Sequence, residues 1–560
     1  MWLDRLTSAA RCEMAFRLDE AESLLDEAKP GAEAWRAIAR LLRFRILVRR
    51  AEPAVLNRLA PQIRALAGRS LTPETAARAW HLLGVLCLRL NRLEEAEEVL
   101  VRALRLIEEG PAQTWVMDSF AQALVGQGAW EEGRRTIRAV IERKLRARDH
   151  VGVAISTGYL ARLELMLGRP LHAAALLRRV LGRLPRGIPV LTRLRLQTFL
   201  VEACLGAELP VSAEHRRLSV LLRKSESHYL KGYALLALAR VSAARSRRSL
   251  ARRELHEARR YFRLPDQLCL LRYSEARLDP GSLHKSGIPR RLQRLFDSAG
   301  IVTEGEVMIR LLMAERAGAG GDRAGMRAHL EAAARRASAA NNPLWIERVD
   351  AAFRRLDPER LASHLIRRFS GRSLEQLERT VKDRVTIIFA DLVGFTPRSQ
   401  DLTPEAVMQT VRSLFELSVP LLGRHRVRPL SYLGDGLLAL CEGPGHERRG
   451  LAFALDVVRK AARVTLLRET LGDRWGLTLR AGVASGPVVQ GVLGSLFKLE
   501  YAAIGMTVNL ASRLQGAANP SEVVCAESTA RAAGVAGGRE RLRLKGVLKP
   551  VSAVRLRVEG

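Results

Sequence analysis

The stretch RVTIIFADLVGFT, Arg384–Thr396, decides how the rest of this sequence is read. From Val385 to Phe389 every residue is apolar or β-branched, with no Gly or Pro, which is the pattern of a buried strand. The run ends near an acid, Asp391, and Gly394, Phe395 and Thr396 follow closely. An acid at the carboxyl end of a strand, ahead of a Gly-containing turn, stands where α/β proteins place ligands. Turn amides there can face a phosphate, and the carboxylate can hold a divalent cation. Turn chemistry alone also accounts for an Asp at such a position, so the stretch by itself leaves both readings open.

Working outward, RPLSYLGDGLLALCEG, Arg428–Gly443, reads as strand, tight turn, strand, with Gly434-Asp435-Gly436 at the tip. Asp-Gly is ordinary hairpin chemistry. It is also a second acid at a strand end, and if the two strands are neighbours, Asp391 and Asp435 share cations. Two oxygen-ligated Mg²⁺ or Mn²⁺ ions are what in-line chemistry on a nucleoside triphosphate needs. A third stretch, LEYAAIGMTVNLASRLQGAA, Leu499–Ala518, leads through a short apolar run and Gly505 into a helix beginning near Thr507. Asn509 and Arg513 lie four apart on one face of it. An amide beside a guanidinium suits a ribose and a triphosphate whose charge is rearranging; a solvated surface helix displays the same pair.

Taken in order, FADLVGFT, YLGDGLLAL, LRAGVASGPVVQGVLGS, YAAIGMTVNLASRL and LKGVLKPVSAVRL resemble the class III adenylate/guanylate cyclase catalytic domain, from near Lys382 to the last residue. The resemblance implies that a ribose 3′-hydroxyl attacks the α-phosphorus of ATP or, less favoured, GTP, giving a 3′,5′-cyclic nucleotide and pyrophosphate. It implies that Asp391 and Asp435 ligate two Mg²⁺ or Mn²⁺ ions per site. The backbone of Gly394, Phe395 and Thr396 would meet the β- and γ-phosphates. Asn509 would orient the ribose, Arg513 would stabilise charge at the α-phosphate, and Lys545 would bind phosphate. The family site lies between two catalytic domains, so a chain with one such domain implies a homodimer with two equivalent sites.

The departures fall in the base pocket. Adenylate cyclases carry a lysine where this sequence has Ser431, and a Thr or Asp where it has Ala502; the acid that commonly follows the next Gly is Met506. The Glu and Cys of guanylate cyclases are also missing. Loss of base-reading hydrogen bonds relaxes selectivity by roughly 10²–10⁴ and leaves the phosphate machinery in place. The expected function is a purine nucleotide cyclase; the alternative is a catalytically silent nucleotide-sensing or dimerisation domain.

Ahead of this segment, residues 1–355 show helical periodicity almost throughout, with internal repeats. The clearest unit, WHLLGVLCLRLNRLEEAEEVLVRAL (Trp80–Leu104), resembles a tetratricopeptide repeat. Small residues such as Gly84 and Ala96 admit close helix approach, and Trp80 and Leu100 fill the groove beside them. Weaker copies carry Ala21/Leu25/Ala28, Gly133/Ile137/Val140, Ala173/Leu177/Val180, Ala251/Leu255/Ala258 and Met326/Leu330/Ala333. Arg183–Pro189 reads as a turn and Pro265–Pro289 as a looser connection. Residues 356–383 read as a helical linker, with a capping box at Ser373/Gln376 and a stripe of Leu374, Leu377 and Val381.

The expected fold class is therefore multidomain: an all-α tetratricopeptide-like solenoid (1–355), a linker (356–383) and an α/β, ferredoxin-like, mixed-sheet cyclase domain (384–560). The solenoid is expected to receive a protein partner. The net charge of +33 on 560 residues attracts polyanions, yet no aromatic-interleaved basic strip or helix-turn-helix accompanies it, so no specific nucleic acid is expected. No Walker-type GxxxxGK[ST] occurs. The absence of a long apolar run or signal peptide, with six scattered cysteines and no CxxC, points to a cytoplasmic chain with reduced thiols.

Overall fold

A computed structural model describes residues 5, 8–9, 18–27, 33–50, 53–69, 72–185, 187–225, 228–262, 265–279, 304–361, 363–364, 381–395, 403–472, 476–495, 498–547 and 549–558. They fall into two compact units, one built almost wholly from residues up to Ala352 and the other mainly from Phe353 onward.

The first unit is helical. Much of it is a run of antiparallel pairs: Pro73–Arg89 with Leu93–Leu106, Pro111–Gly126 with Trp130–Arg146, His150–Met166 with Pro170–Arg183, Val190–Gly206 with Ser212–Arg223, and His228–Ala244 with Arg248–Arg259. Inside each pair the chain reverses through one residue of positive φ: Asn91, Gly128, Gly168, Glu208 and Ser246, in steps of 37, 40, 40 and 38 residues. The same backbone bond closes four of these turns: the N–H groups of Arg92, Arg169, Leu209 and Arg247 reach back to Cys87, Glu164, Cys204 and Ser242 at 2.8–2.9 Å. That bond is the Schellman closure of a helix end. A β-carbon on Gly84 would sit 2.6 Å from the Leu100 side chain, so Gly84 is what lets the first pair close. The small-large-small residues of the second helices face inward. Ala96, Leu100 and Ala103, then Ala251, Leu255 and Ala258, then Met326, Leu330 and Ala333 are all buried. Ala28 of the earliest copy lies outside the described residues.

The second unit holds an eight-stranded mixed sheet: β1 Val381–Leu392, β2 Val427–Leu433, β3 Gly436–Cys441, β4 Leu479–Ser495, β5 Lys498–Ile504, β6 Glu522–Ala526, β7 Gly538–Leu542 and β8 Val551–Arg557. The order is β2-β3-β1-β4-β6-β8-β7, with β5 paired to β4. β1 is central, antiparallel to both β3 and β4, and among the described residues only the β4–β6 pair is parallel. This position explains the unbroken apolar run of β1: Val385, Ile387 and Ile388 are fully buried because both faces of the strand are covered. The helix His446–Thr470 meets the Thr386 side, where a β-carbon on Gly450 would lie 2.8 Å from Thr386. The helix Met506–Gly516 meets the other side, over Val385, Ile387, Ala484 and Val488.

Several expectations need correction. Val381 to Arg384 belong to β1, not to a helix, because Val381 pairs with Gln490 and Arg384 with Pro487; β1 thus begins before the boundary expected at 384. The capping box at Ser373/Gln376 lies outside the described residues. Strand β4 is long, running from Leu479 to Ser495, since its second half gains β5 as a partner. The looser connection expected from Pro265 opens instead with a helix, Pro265–Leu278, in which Cys269 and Leu271 are buried; residues 280–303 are outside the described set. A short helix, Glu527–Ala532, was not foreseen. Cys87, Cys204, Cys269, Cys441 and Cys525 are buried thiols outside any disulfide; Cys12 is not among the described residues. Among the described residues no helix is long and apolar enough to cross a membrane.

Candidate active site

Strand register brings the two acids together. Asp391, one residue from the end of β1, pairs with Gly436, the first residue of β3. That places it beside Asp435 in the hairpin tip, where Gly434 supplies the positive φ of 64°. The Leu392 N–H donates to the Asp435 carbonyl at 3.3 Å, tying tip to strand end. Partial burial, followed by the neighbouring charge of Asp435, pushes the Asp391 carboxyl above the ordinary carboxylate range. Arg480 pulls it the other way.

Two residues that sequence reasoning did not single out complete the cluster. Arg480 is the β4 residue directly opposite Asp391, with Nη2 3.5 Å from Asp391 Oδ2. Gln515 donates from Nε2 to the same oxygen at 3.2 Å. The signal for Arg480 was a lone cation inside the strand pattern of LRAGVASG. Only the register shows that it faces the acid.

The helix that carries Gln515 is seated by glycines. A β-carbon on Gly482 would lie 2.1 Å from the Gln515 amide nitrogen and 2.2 Å from the Ala511 carbonyl oxygen. One on Gly486 would lie 2.5 Å from Thr507 Oγ1, which donates to the Pro487 carbonyl at 2.9 Å. The helix therefore lies directly on β4. Arg513 stands two residues, about 200° around the axis, from Gln515. It and Asn509 are exposed, while Gln515 reaches its own chain's acid. Within one chain the expected pair Asn509/Arg513 is thus not brought to Asp391 and Asp435.

The donor set fits a hard divalent cation. Two crowded carboxylates, one with its protonated form favoured by the other, are relieved by positive charge between them. Among the described residues no third His, Cys, Asp or Glu joins them. Mg²⁺ is commonly held by one or two carboxylates, with substrate phosphates and water supplying the remaining ligands.

Residues 377–549 match the family described as the adenylate and guanylate cyclase catalytic domain. This part of the chain is a class III nucleotide cyclase catalytic domain. Guanylate cyclase 2G of Rattus norvegicus is 32% identical over 189 residues, 32% of this chain and 17% of that protein. An adenylate cyclase of Mycobacterium tuberculosis (strain ATCC 25618 / H37Rv) is 30% identical over 165 residues, 28% of this chain and 36% of that protein. The chain thus spans well under half the length of these relatives. Among solved structures, that of the guanylyl cyclase Cya2 is similar at 26% identity and a TM-score of 0.31, covering 32% of this chain and 95% of that one.

The remaining expected positions of the cyclase domain are placed as follows. Gly394, at φ 66°, turns the chain after β1, and Val393 N–H is fixed to the Thr478 carbonyl at 2.9 Å. Phe395 is half-buried, and Thr396 lies outside the described residues. Ser431 is on β2, just past a bulge at Pro429, and Ala502 is on β5 opposite Gly491; both are half-buried. Lys545 is exposed in the turn before Gly546. Met506, at the head of the Asn509/Arg513 helix, is 68% exposed, and Ile504 just before it 57%.

Proposed function

We propose that this chain is a purine nucleotide cyclase, acting on ATP in preference to GTP and working as a homodimer under the control of its helical-repeat region. The observation that carries this reading is the division of the catalytic groups. Asp391 and Asp435 converge at the end of β1, while Asn509 and Arg513 are displayed outward from a helix whose other side is fixed to β4. A second copy presenting the same helix completes the site, and two-fold symmetry makes two of them. The exposed Ile504 and Met506 beside that pair give the second copy an apolar footing.

In the completed site the two Asp carboxylates would hold the cations, which would supply Lewis-acid charge for the phosphate chemistry. The turn at Gly394 and Phe395 presents backbone to the phosphates. Arg480 neutralises Asp391 at rest and is positioned to meet phosphate oxygen. The partner copy's Asn509 and Arg513 orient the ribose and stabilise α-phosphate charge; Lys545 adds phosphate binding. At the base, the Ser431 hydroxyl both donates and accepts, which serves the adenine edge. No carboxylate stands at either base position to receive the guanine N–H groups.

Residues 1–355 are read as a tetratricopeptide-like receiver for a protein partner, joined through 356–383 to the catalytic domain. Turnover of ATP and GTP with Mn²⁺ tests the reading, together with mixing of two dead variants, Asp391→Asn and Arg513→Ala. Product from the mixture supports a shared site. No product from parent or mixture, with metal-dependent ATP binding retained, instead assigns a silent nucleotide-binding dimerisation domain, the reading that the replaced base positions Ser431 and Ala502 favour.

A further inference from the structure

We propose that Gln515 is a positioning residue for Asp391 of its own chain. Through it, the helix Met506–Gly516 ties one catalytic site to the other. Three observations carry this. Gln515 Nε2 stands 3.2 Å from Asp391 Oδ2. Because the acceptor is a carboxylate oxygen, the amide must present its nitrogen, which fixes the orientation of the side chain. The backbone beneath it cannot drift, since Gly482 lies so close under Gln515 and Ala511 that not even a methyl group fits between them.

A neutral donor is the type of group this place requires. Arg480 already supplies positive charge at the same oxygen, 3.5 Å away, and a second cation would compete with a metal for the acid. An amide holds Oδ2 in place without altering the charge. Outer partners that hold a ligating carboxylate typically change metal affinity by 10–100-fold when removed.

The coupling follows from the helix, and this part rests on the homodimeric cyclase reading. The helix serves its own chain's acids through Gln515 and the twin's acids through Asn509 and Arg513. Occupation of one site, by fixing Asp391, steadies the helix that completes the other.

The test uses the full chain. Mn²⁺ alone is titrated by electron paramagnetic resonance into the parent, Asp391→Asn, Gln515→Met and Gln515→Lys. Met keeps length and packing and loses the donor; Lys adds a competing cation. The expected result is binding that Asp391→Asn removes, that Gln515→Met weakens about tenfold and that Gln515→Lys weakens further, with melting temperatures close to the parent's. Equal affinity in the parent and Gln515→Met overturns the proposal, as does parent binding no different from Asp391→Asn.

Gln515→Met is then placed in one or the other chain of the Asp391→Asn/Arg513→Ala mixture. A larger loss of product when it sits in the Arg513→Ala chain, which supplies the working Asp391, supports action within one chain; equal losses overturn it. If the mixture makes no product, the shared-site reading fails and the Mn²⁺ titration still decides the role of Gln515.

Discussion

Gly482 is the point at which the seating of the Asn509/Arg513 helix can be broken with one methyl group. In Gly482→Ala the new carbon would stand 2.1 Å from the Gln515 nitrogen, 2.2 Å from the Ala511 oxygen and 2.7 Å from the Gln515 Cα. These are backbone atoms, with no rotamer to move aside. Ordinary contact begins at 3.4 Å, so the helix must retreat by about 1.3 Å. β4 cannot give way instead, because β1 and β6 hold its two edges at this point. Overpacking costs about 1–3 kcal/mol, and a clash with two stretches of main chain belongs at the upper end. Gly486→Ala is the control. Its methyl meets Thr507 Oγ1, which can rotate away at the loss of one hydrogen bond, about 1 kcal/mol. Hydrogen exchange of the amides in 506–516, measured in the full chain, should therefore quicken about 100-fold in Gly482→Ala and about fivefold in Gly486→Ala, taking 1.36 kcal/mol per decade. Turnover in Gly482→Ala should fall by about 10²-fold, the effect of misplacing catalytic groups by 1 Å. Parent-like protection in Gly482→Ala, or a larger effect in Gly486→Ala, would refute the argument that main-chain contact seats this helix.

Three further outcomes follow from buried or crowded groups. The raised Asp391 carboxyl means that the folded chain binds its proton more tightly than the unfolded one. Stability from this group therefore falls as pH rises from the ordinary value of 3.8 through the raised one; Asp391→Asn should raise the metal-free melting temperature at pH 7 and abolish any rise produced by Mn²⁺. In the helical unit, Lys144 is buried against Asp118 and donates to Ser156 at 3.0 Å, so Lys144→Met should cost about 3–5 kcal/mol by leaving a buried acid, still bonded to Ser156, without its counter-charge. Asp118→Asn in that background should recover part of the loss in urea unfolding. Gly84→Ala should cost about 1–3 kcal/mol against Leu100. The double variant with Leu100→Ala should show less than the sum of the two single costs, because both changes act on the same contact.

What could be read from the sequence was whatever depends on local pattern. The apolar run of β1, the Gly-Asp-Gly tip and the helix after Gly505 each carry their signal within a dozen residues, and all three are found. The acid pair was legible because each Asp ends its own strand. Arg480 and Gln515 were not, because their roles depend on partners far along the chain. Nothing in LRAGVASG says that its Arg lies across from Asp391 rather than from a neighbour one residue away, and a slip of one would turn it to the opposite face. The same limit explains the misread segment at Val381–Arg384. Its helical stripe is real in spacing, but β4 runs on to Ser495 and offers a pairing edge that local propensity cannot anticipate. In the helical unit the small-large-small signature worked because it encodes a contact between helices adjacent in sequence. Long-range register sets the chemistry of this domain. Its central consequence is that Gln515 and Arg513, two residues apart, are turned different ways: one toward an acid of its own chain, the other outward to an exposed position.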